Sequence, residues 1–99
     1  MTRYRLSRLA KADLDQIWFR IATKASIETA DRLIDAITDR LPMLANLPEA
    51  GRASDEIEQG LRVFPVESYL IYYRKAPRRR ILISRIIGMR DQRKAWGEK

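Results

Sequence analysis

The 99-residue sequence contains no cysteine and no histidine. Without cysteine there is no disulfide framework and no thiolate metal site. Without histidine there is no Ser-His or Cys-His nucleophile, no imidazole ligand, and no side chain that titrates near neutral pH unperturbed. Any catalysis would have to come from Arg, Lys, Tyr or carboxylates. No apolar run is long enough to span a bilayer, and the first residues show no hydrophobic segment of a signal peptide, so a cytoplasmic protein is expected. No internal repeat or low-complexity tract is present. The chain reads as a single domain over residues 1–99, with 45% hydrophobic residues, a fraction that suits a folded globule.

The net charge of +7 is unevenly spread. From Arg74 to Lys94 there are nine basic residues (Arg74, Lys75, Arg78, Arg79, Arg80, Arg85, Arg90, Arg93, Lys94) against one acid, Asp91. The remainder carries 11 basic and 12 acidic residues, a balance of −1. The asymmetry points to an acidic partner met by the C-terminal region: nucleic acid, an acidic protein, or both in turn. The plainer reading is a charge that keeps a small domain soluble, with Arg78-Arg79-Arg80 after Pro77 as a solvated hairpin tip.

The periodicities predict an α+β two-layer sandwich. Tyr4-Arg5-Leu6 alternates as a short strand, and Ser7 is placed to cap a helix whose apolar stripe is Ala10, Leu14, Ile17 and Ile21. That helix should end near Thr23 to Ala25. Ser26 is placed to cap a second helix with the stripe Ala30, Leu33, Ile34, Ile37, Leu41 and Leu44, kinked or ended at Pro42. Asn46 to Gly60 reads as a loop broken by Pro48, Gly51 and Gly60. Leu61–Val66, Tyr69–Arg74 and Ile81–Ile87 then form a three-stranded antiparallel meander, with the helical hairpin on one face of the sheet.

In the last strand, strict alternation places Ile81, Ile83 and Ile87 on one face and Leu82 and Ile86 on the other. Both faces are then apolar, although the helices cover only one. The second face is covered by a partner or by the C-terminal segment folding back.

Several segments together resemble the ParE branch of the ParE/RelE toxins. These are Leu6-Ser7-x-x-Ala10-x-x-Asp13-Leu14, Gly51-Arg52…Asp55-Glu56-Ile57, Gly60-Leu61-Arg62, Ser68-Tyr69-Leu70-Ile71-Tyr72-Tyr73-Arg74, Arg85-Ile86-Ile87 and Arg90-Asp91. The resemblance implies a RelE/ParE-like fold and the toxin of a type II toxin–antitoxin pair, with a role in plasmid stabilisation. It further implies DNA gyrase as target and a cognate ParD-like antitoxin. Operator DNA would be met only indirectly, through the antitoxin, and no membrane is involved. The alternative is a ribosome-dependent messenger RNA endoribonuclease of the RelE branch, in which a carboxylate such as Glu67 would serve as base. Two departures weigh against that chemistry: Gly88-Met89 precedes the Arg90-Asp91 pair where many relatives carry a histidine, and the chain has Ala95-Trp96 near its end in place of a tyrosine-bearing tail.

On the leading reading there is no catalytic residue, metal or cofactor, and the sites are contact surfaces. Arg62, Arg74, Arg85, Arg90 and Arg93 form the expected basic face; Arg62 and Arg85 lie inside apolar strands, where a guanidinium needs an anionic partner. Gly51, Arg52, Asp55 and Gly60 are expected to build the loop before the sheet, with Arg52 or Arg62 pinned to Asp55 or Glu56 and the glycines in turns. Tyr69, Tyr72 and Tyr73 read chiefly as packing, with base stacking as the other use. Trp18 is either a core flank or part of a partner groove, and Trp96 either anchors the tail or meets a partner.

Overall fold

The computed structural model describes residues 3–96. The chain runs β1 (Tyr4–Leu6), α1 (Arg8–Lys24), α2 (Ile27–Thr38), α3 (Leu41–Asn46), β2 (Arg52–Ala53), β3 (Arg62–Val66), β4 (Tyr69–Ala76), β5 (Arg80–Gly88) and α4 (Gln92–Trp96). The strands make one sheet in the order β1-β5-β4-β3-β2. β1 is parallel to β5; the other pairs are antiparallel. No helix among the described residues is long and apolar enough to cross a membrane.

Both expected caps form. Ser7 Oγ accepts from the Ala10 amide at 3.0 Å, and Ser26 Oγ accepts from the Thr29 amide at 3.0 Å, each satisfying an orphan donor of a first helical turn. Pro42 ends the second regular ladder: α2 stops at Thr38, and Pro42 falls in the first turn of the separate helix α3, where its missing amide costs nothing. The apolar stripe carries through this break, so Leu33, Ile37, Leu41 and Leu44 are all buried in one core with Ile17 of α1 and with Ile71, Tyr73, Ile81, Ile83 and Ile86 of the sheet.

The segment read as a loop holds a short 3-10 turn at Pro48–Ala50 and the two-residue strand β2, which pairs with Arg62 and Val63. So brief a strand has no periodicity of its own. Pro65 is exposed and sits in the part of β3 beyond β2, a local edge where a strand tolerates the loss of an amide.

The expected alternation along β5 is corrected by a bulge. Tyr72 pairs with Arg85 and Tyr73 with Ile83, so Ser84 has no opposite residue on β4. One extra residue inverts the parity of every side chain after it. Ile86, and not Ile87, therefore joins Ile81 and Ile83 beneath the helices, while Ile87 turns to the second face. There it packs with Leu61, Val63 and Tyr72 in a smaller cluster closed by Ile57, Leu70, Ala95 and Trp96. The C-terminal segment thus covers part of the second face. The Trp96 ring stands edge-on to Tyr72, centroids 5.0 Å apart at 70°.

Candidate binding groove

β1 pairs with β5 only through Ile81–Ile83, which leaves the outer edge of β5 from Ser84 onward without a neighbouring strand. Unpaired buried backbone groups are costly, and side chains from the start of α1 satisfy them. Ser7 Oγ donates to the Ser84 carbonyl at 2.8 Å, and Asp13 Oδ2 accepts from the Ile86 amide at 2.9 Å. Asp13 also takes the Arg85 guanidinium through both oxygens, at 2.9 and 3.0 Å. These hydrogen bonds push the Arg85 pKa above its ordinary value against the opposing effect of burial.

Beside this clamp, α1 and the turn after β5 enclose two adjoining hollows of about 320 and 610 Å³ that share Arg20, Gly88 and Asp91. Arg20, Lys24, Arg90 and Lys94 line them, and with Arg85 neutralised by Asp13 the one remaining acid on the lining, among the described residues, is Asp91. Arg20 is oriented by donating to the Tyr69 hydroxyl at 2.8 Å. Ile21, Ile87, Ala95 and the 43%-exposed Met89 supply apolar walls and rim. A groove of this kind suits an acidic segment with interspersed apolar side chains: cations for the carboxylates, Ile and Met for the rest. Among the described residues no group of three His, Cys, Asp or Glu could hold a metal.

The structure does not gather the five expected arginines on one face. Arg62 Nε donates to the Gly51 carbonyl at 3.1 Å, and Arg74 pairs with Glu58 at 2.7 Å. Arg85 belongs to Asp13. Arg90 borders the groove, and Arg93 is exposed on α4. Arg20, Lys24 and Lys94 line the groove without belonging to the face expected from sequence. A signal for the first two exists, because Asp13, Gln16, Arg20 and Lys24 follow one another at helical spacing beside the apolar stripe of α1.

The loop before the sheet is pinned by different contacts from those expected. Asp55 Oδ1 accepts from the Gly60 amide at 2.8 Å rather than holding an arginine, and Arg52 is exposed. Gly60 has φ +85°, as a turn glycine should. Gly51 has an ordinary extended conformation (φ −80°, ψ 154°) and is glycine for another reason, its contact with Tyr73. The Tyr73 hydroxyl accepts from the Gly51 amide at 2.8 Å and donates to the Pro48 carbonyl at 2.7 Å.

Burial raises the Tyr73 pKa above its ordinary 10, although the Gly51 amide opposes the shift. The fold favours the neutral phenol, so its contribution is complete below pH 10 and is lost as the pH climbs through the raised value. Tyr73→Phe should cost about 1–2 kcal/mol at about pH 8 through the orphaned loop groups. Its melting temperature should also fall less steeply above about pH 10 than that of the parent chain. Parallel melting curves for the two proteins from neutral to strongly alkaline pH would contradict this assignment. Tyr72, likewise buried and raised, donates to Gln92 Oε1 at 3.1 Å, and Trp18 Nε1 donates to Asp31 Oδ1 at 2.7 Å across the helical pair.

A family model described as the ParE toxin of type II toxin–antitoxin system, parDE, matches residues 4–93. The chain is 33% identical over 82 residues to Toxin ParE1 of Caulobacter vibrioides, covering 83% of this chain and 85% of that protein. It is 29% identical over 89 residues to Toxin ParE1 of Mycobacterium tuberculosis, covering 90% and 91% respectively. A solved structure titled "Chromosomal ParDE TA system from P. aeruginosa" superposes with a TM-score of 0.75 at 26% identity, covering 89% of this chain and 96% of that one.

Proposed function

Because this chain belongs to the ParE toxin family of type II toxin–antitoxin systems, we propose that it arrests DNA gyrase and is neutralised by a cognate ParD-like antitoxin. The antitoxin contributes an acidic, amphipathic segment that lies along the groove between α1 and the turn after β5. The toxin acts through a single domain in the cytoplasm, as a binding protein and not as an enzyme. The observation that carries the assignment of the surface is the groove itself, where Arg20, Lys24, Arg90 and Lys94 face, among the described residues, the single carboxylate of Asp91 beside the exposed Met89 and the half-buried Ile21 and Ala95. Coulomb attraction speeds the encounter and the buried apolar area lengthens the residence time.

Purified toxin should inhibit supercoiling by gyrase, or trap cleaved DNA, and the cognate antitoxin should restore activity. The variant Arg90→Glu/Lys94→Glu should bind the antitoxin about ten- to a hundredfold more weakly, since reversed charges meet like charges across the interface. Unchanged affinity would remove the groove from the interface. Cleavage of messenger RNA in a translating extract, with gyrase untouched, would replace the gyrase reading with that of a RelE-like ribonuclease.

A further inference from the structure

The groove lies at one end of β5; the opposite end carries a different concentration of charge. Arg78 and Arg79 form the tip of the β4–β5 hairpin, and Arg80 opens β5. β1 brings two more arginines alongside. The Ile81 amide donates to the Arg3 carbonyl at 2.9 Å, and Arg5 pairs with Leu82. All five side chains belong to exposed residues. Among the described residues, the ion pairs involve Arg32, Arg74, Lys75 and Arg85 and none of these five. At about 3.3 Å per residue, the length of β5 separates this cluster from the groove by roughly 25 Å.

The turn itself gives a second, independent indication. Arg78 and Arg79 have φ of 64° and 58°, the left-handed region in two consecutive non-glycine residues. Asn-Gly is the pair that such a turn favours, so arginine stands here against local conformational preference. Two such residues in succession at an exposed tip, both arginine, are grounds for a contact made by the side chains. Shape adds a third. β3 pairs with β4 only as far as Tyr73, and β1 with β5 only from Ile81, so the Ala76–Arg80 pair and the turn it closes stand beyond both flanking strands as a tip two strands wide. The major groove of B-form DNA admits a two-stranded β-ribbon, whereas the deep, narrow major groove of duplex RNA does not.

We propose that this arginine-tipped end of the sheet binds duplex DNA directly, through backbone phosphates and without sequence preference. The surface is separate from the groove and does not depend on the gyrase reading. Phosphate contacts release counterions, so affinity falls with salt at a log–log slope of about −0.9 per contact, roughly −4.5 for five arginines.

The test is binding of the full chain, without gyrase or antitoxin, to a short fluorescent DNA duplex between about 50 and 200 mM salt. The variant Arg78→Asn/Arg79→Gly/Arg80→Ser removes three charges while installing Asn-Gly where the turn prefers it and a small polar residue at the exposed first position of β5, so it should fold about as well as the parent. Its slope should be shallower by about 2.7, and Arg78→Lys/Arg79→Lys/Arg80→Lys should keep most of the parent slope. Arg90→Gln/Lys94→Gln should leave the slope unchanged. The proposal is overturned by no DNA binding, by an unaltered slope in the tip variant, by a slope that moves with Arg90 and Lys94 instead, or by equal or tighter binding to duplex RNA of the same length.

Discussion

Gly51→Ala should destabilise the fold by about 3–5 kcal/mol, far more than an added methyl costs at most surface loops. A Cβ at this position would run into the Tyr73 hydroxyl and lie 2.8 Å and 2.9 Å from the ring atoms Cε1 and Cζ. Tyr73 is fully buried in the core between the sheet and the helices and has no room to withdraw. Overpacking of a tight core costs about 1–3 kcal/mol. Any shift that relieves it also breaks the hydrogen bonds from the Gly51 amide to the hydroxyl and from the hydroxyl to Pro48, adding about 1–3 kcal/mol for groups left buried and unpaired. Urea denaturation of the variant measures the sum. Gly51→Ala/Tyr73→Phe sharpens the test: removing the hydroxyl relieves the closest contact, so the double variant should lose less than the two single losses added together. Strict additivity would show that the glycine is needed for something other than Tyr73.

The same pair shows why parts of this fold are legible in sequence and others are not. Helix caps are local, and Ser7 and Ser26 make the predicted bonds within three residues. The helix stripes are local too, and they survive the break at Pro42 because α2 and α3 turn the same face inward. The bulge at Ser84 has no such signature. In Ile81–Ile87 both alternating phases are mainly apolar, so hydrophobic pattern cannot say where the parity changes. The reason for the two apolar faces is partly readable, and Trp96 and Ala95 do fold onto the second one.

Polar partners are the hardest to place. Arg62, inside an apolar strand, calls for an anion on sequence grounds; it takes the Gly51 carbonyl, an acceptor every residue carries and no sequence pattern marks. Charge alone matches Asp55 with an arginine, yet a backbone amide of the same tight loop is closer. The groove combines α1 with the turn after β5, far away in the chain, and only tertiary structure sets Arg20 and Lys24 against Arg90 and Lys94. Of the basic residues from Arg74 to Lys94, Arg74, Lys75 and Arg85 are taken by ion pairs. Arg78, Arg79 and Arg80 stand at the hairpin tip, Arg90 and Lys94 border the groove at the other end of β5, and Arg93 is exposed on α4, so they are not gathered on one face.

Asp13→Ala should cost about 3–5 kcal/mol, the second large loss expected of a single substitution, because one carboxylate serves three donors. It takes two hydrogen bonds from Arg85 and one from the Ile86 amide, and its side chain is 12% exposed against 23% for Arg85. Removing one partner of so enclosed a pair leaves the other charge desolvated and uncompensated. It also orphans an amide on the stretch of β5 that β1 does not reach. Arg85→Ala should cost less, since Asp13 keeps the Ile86 amide and gains access to water. The double variant should then lie close to Asp13→Ala alone, with a coupling energy of about 1–3 kcal/mol. Chemical denaturation of the three variants decides the matter. If the losses of Asp13→Ala and Arg85→Ala simply add, the clamp is not a unit, and Arg85 becomes available to a partner in the groove. If they couple as expected, Arg85 is fixed to α1, and the cations that meet a partner are Arg20, Lys24, Arg90 and Lys94.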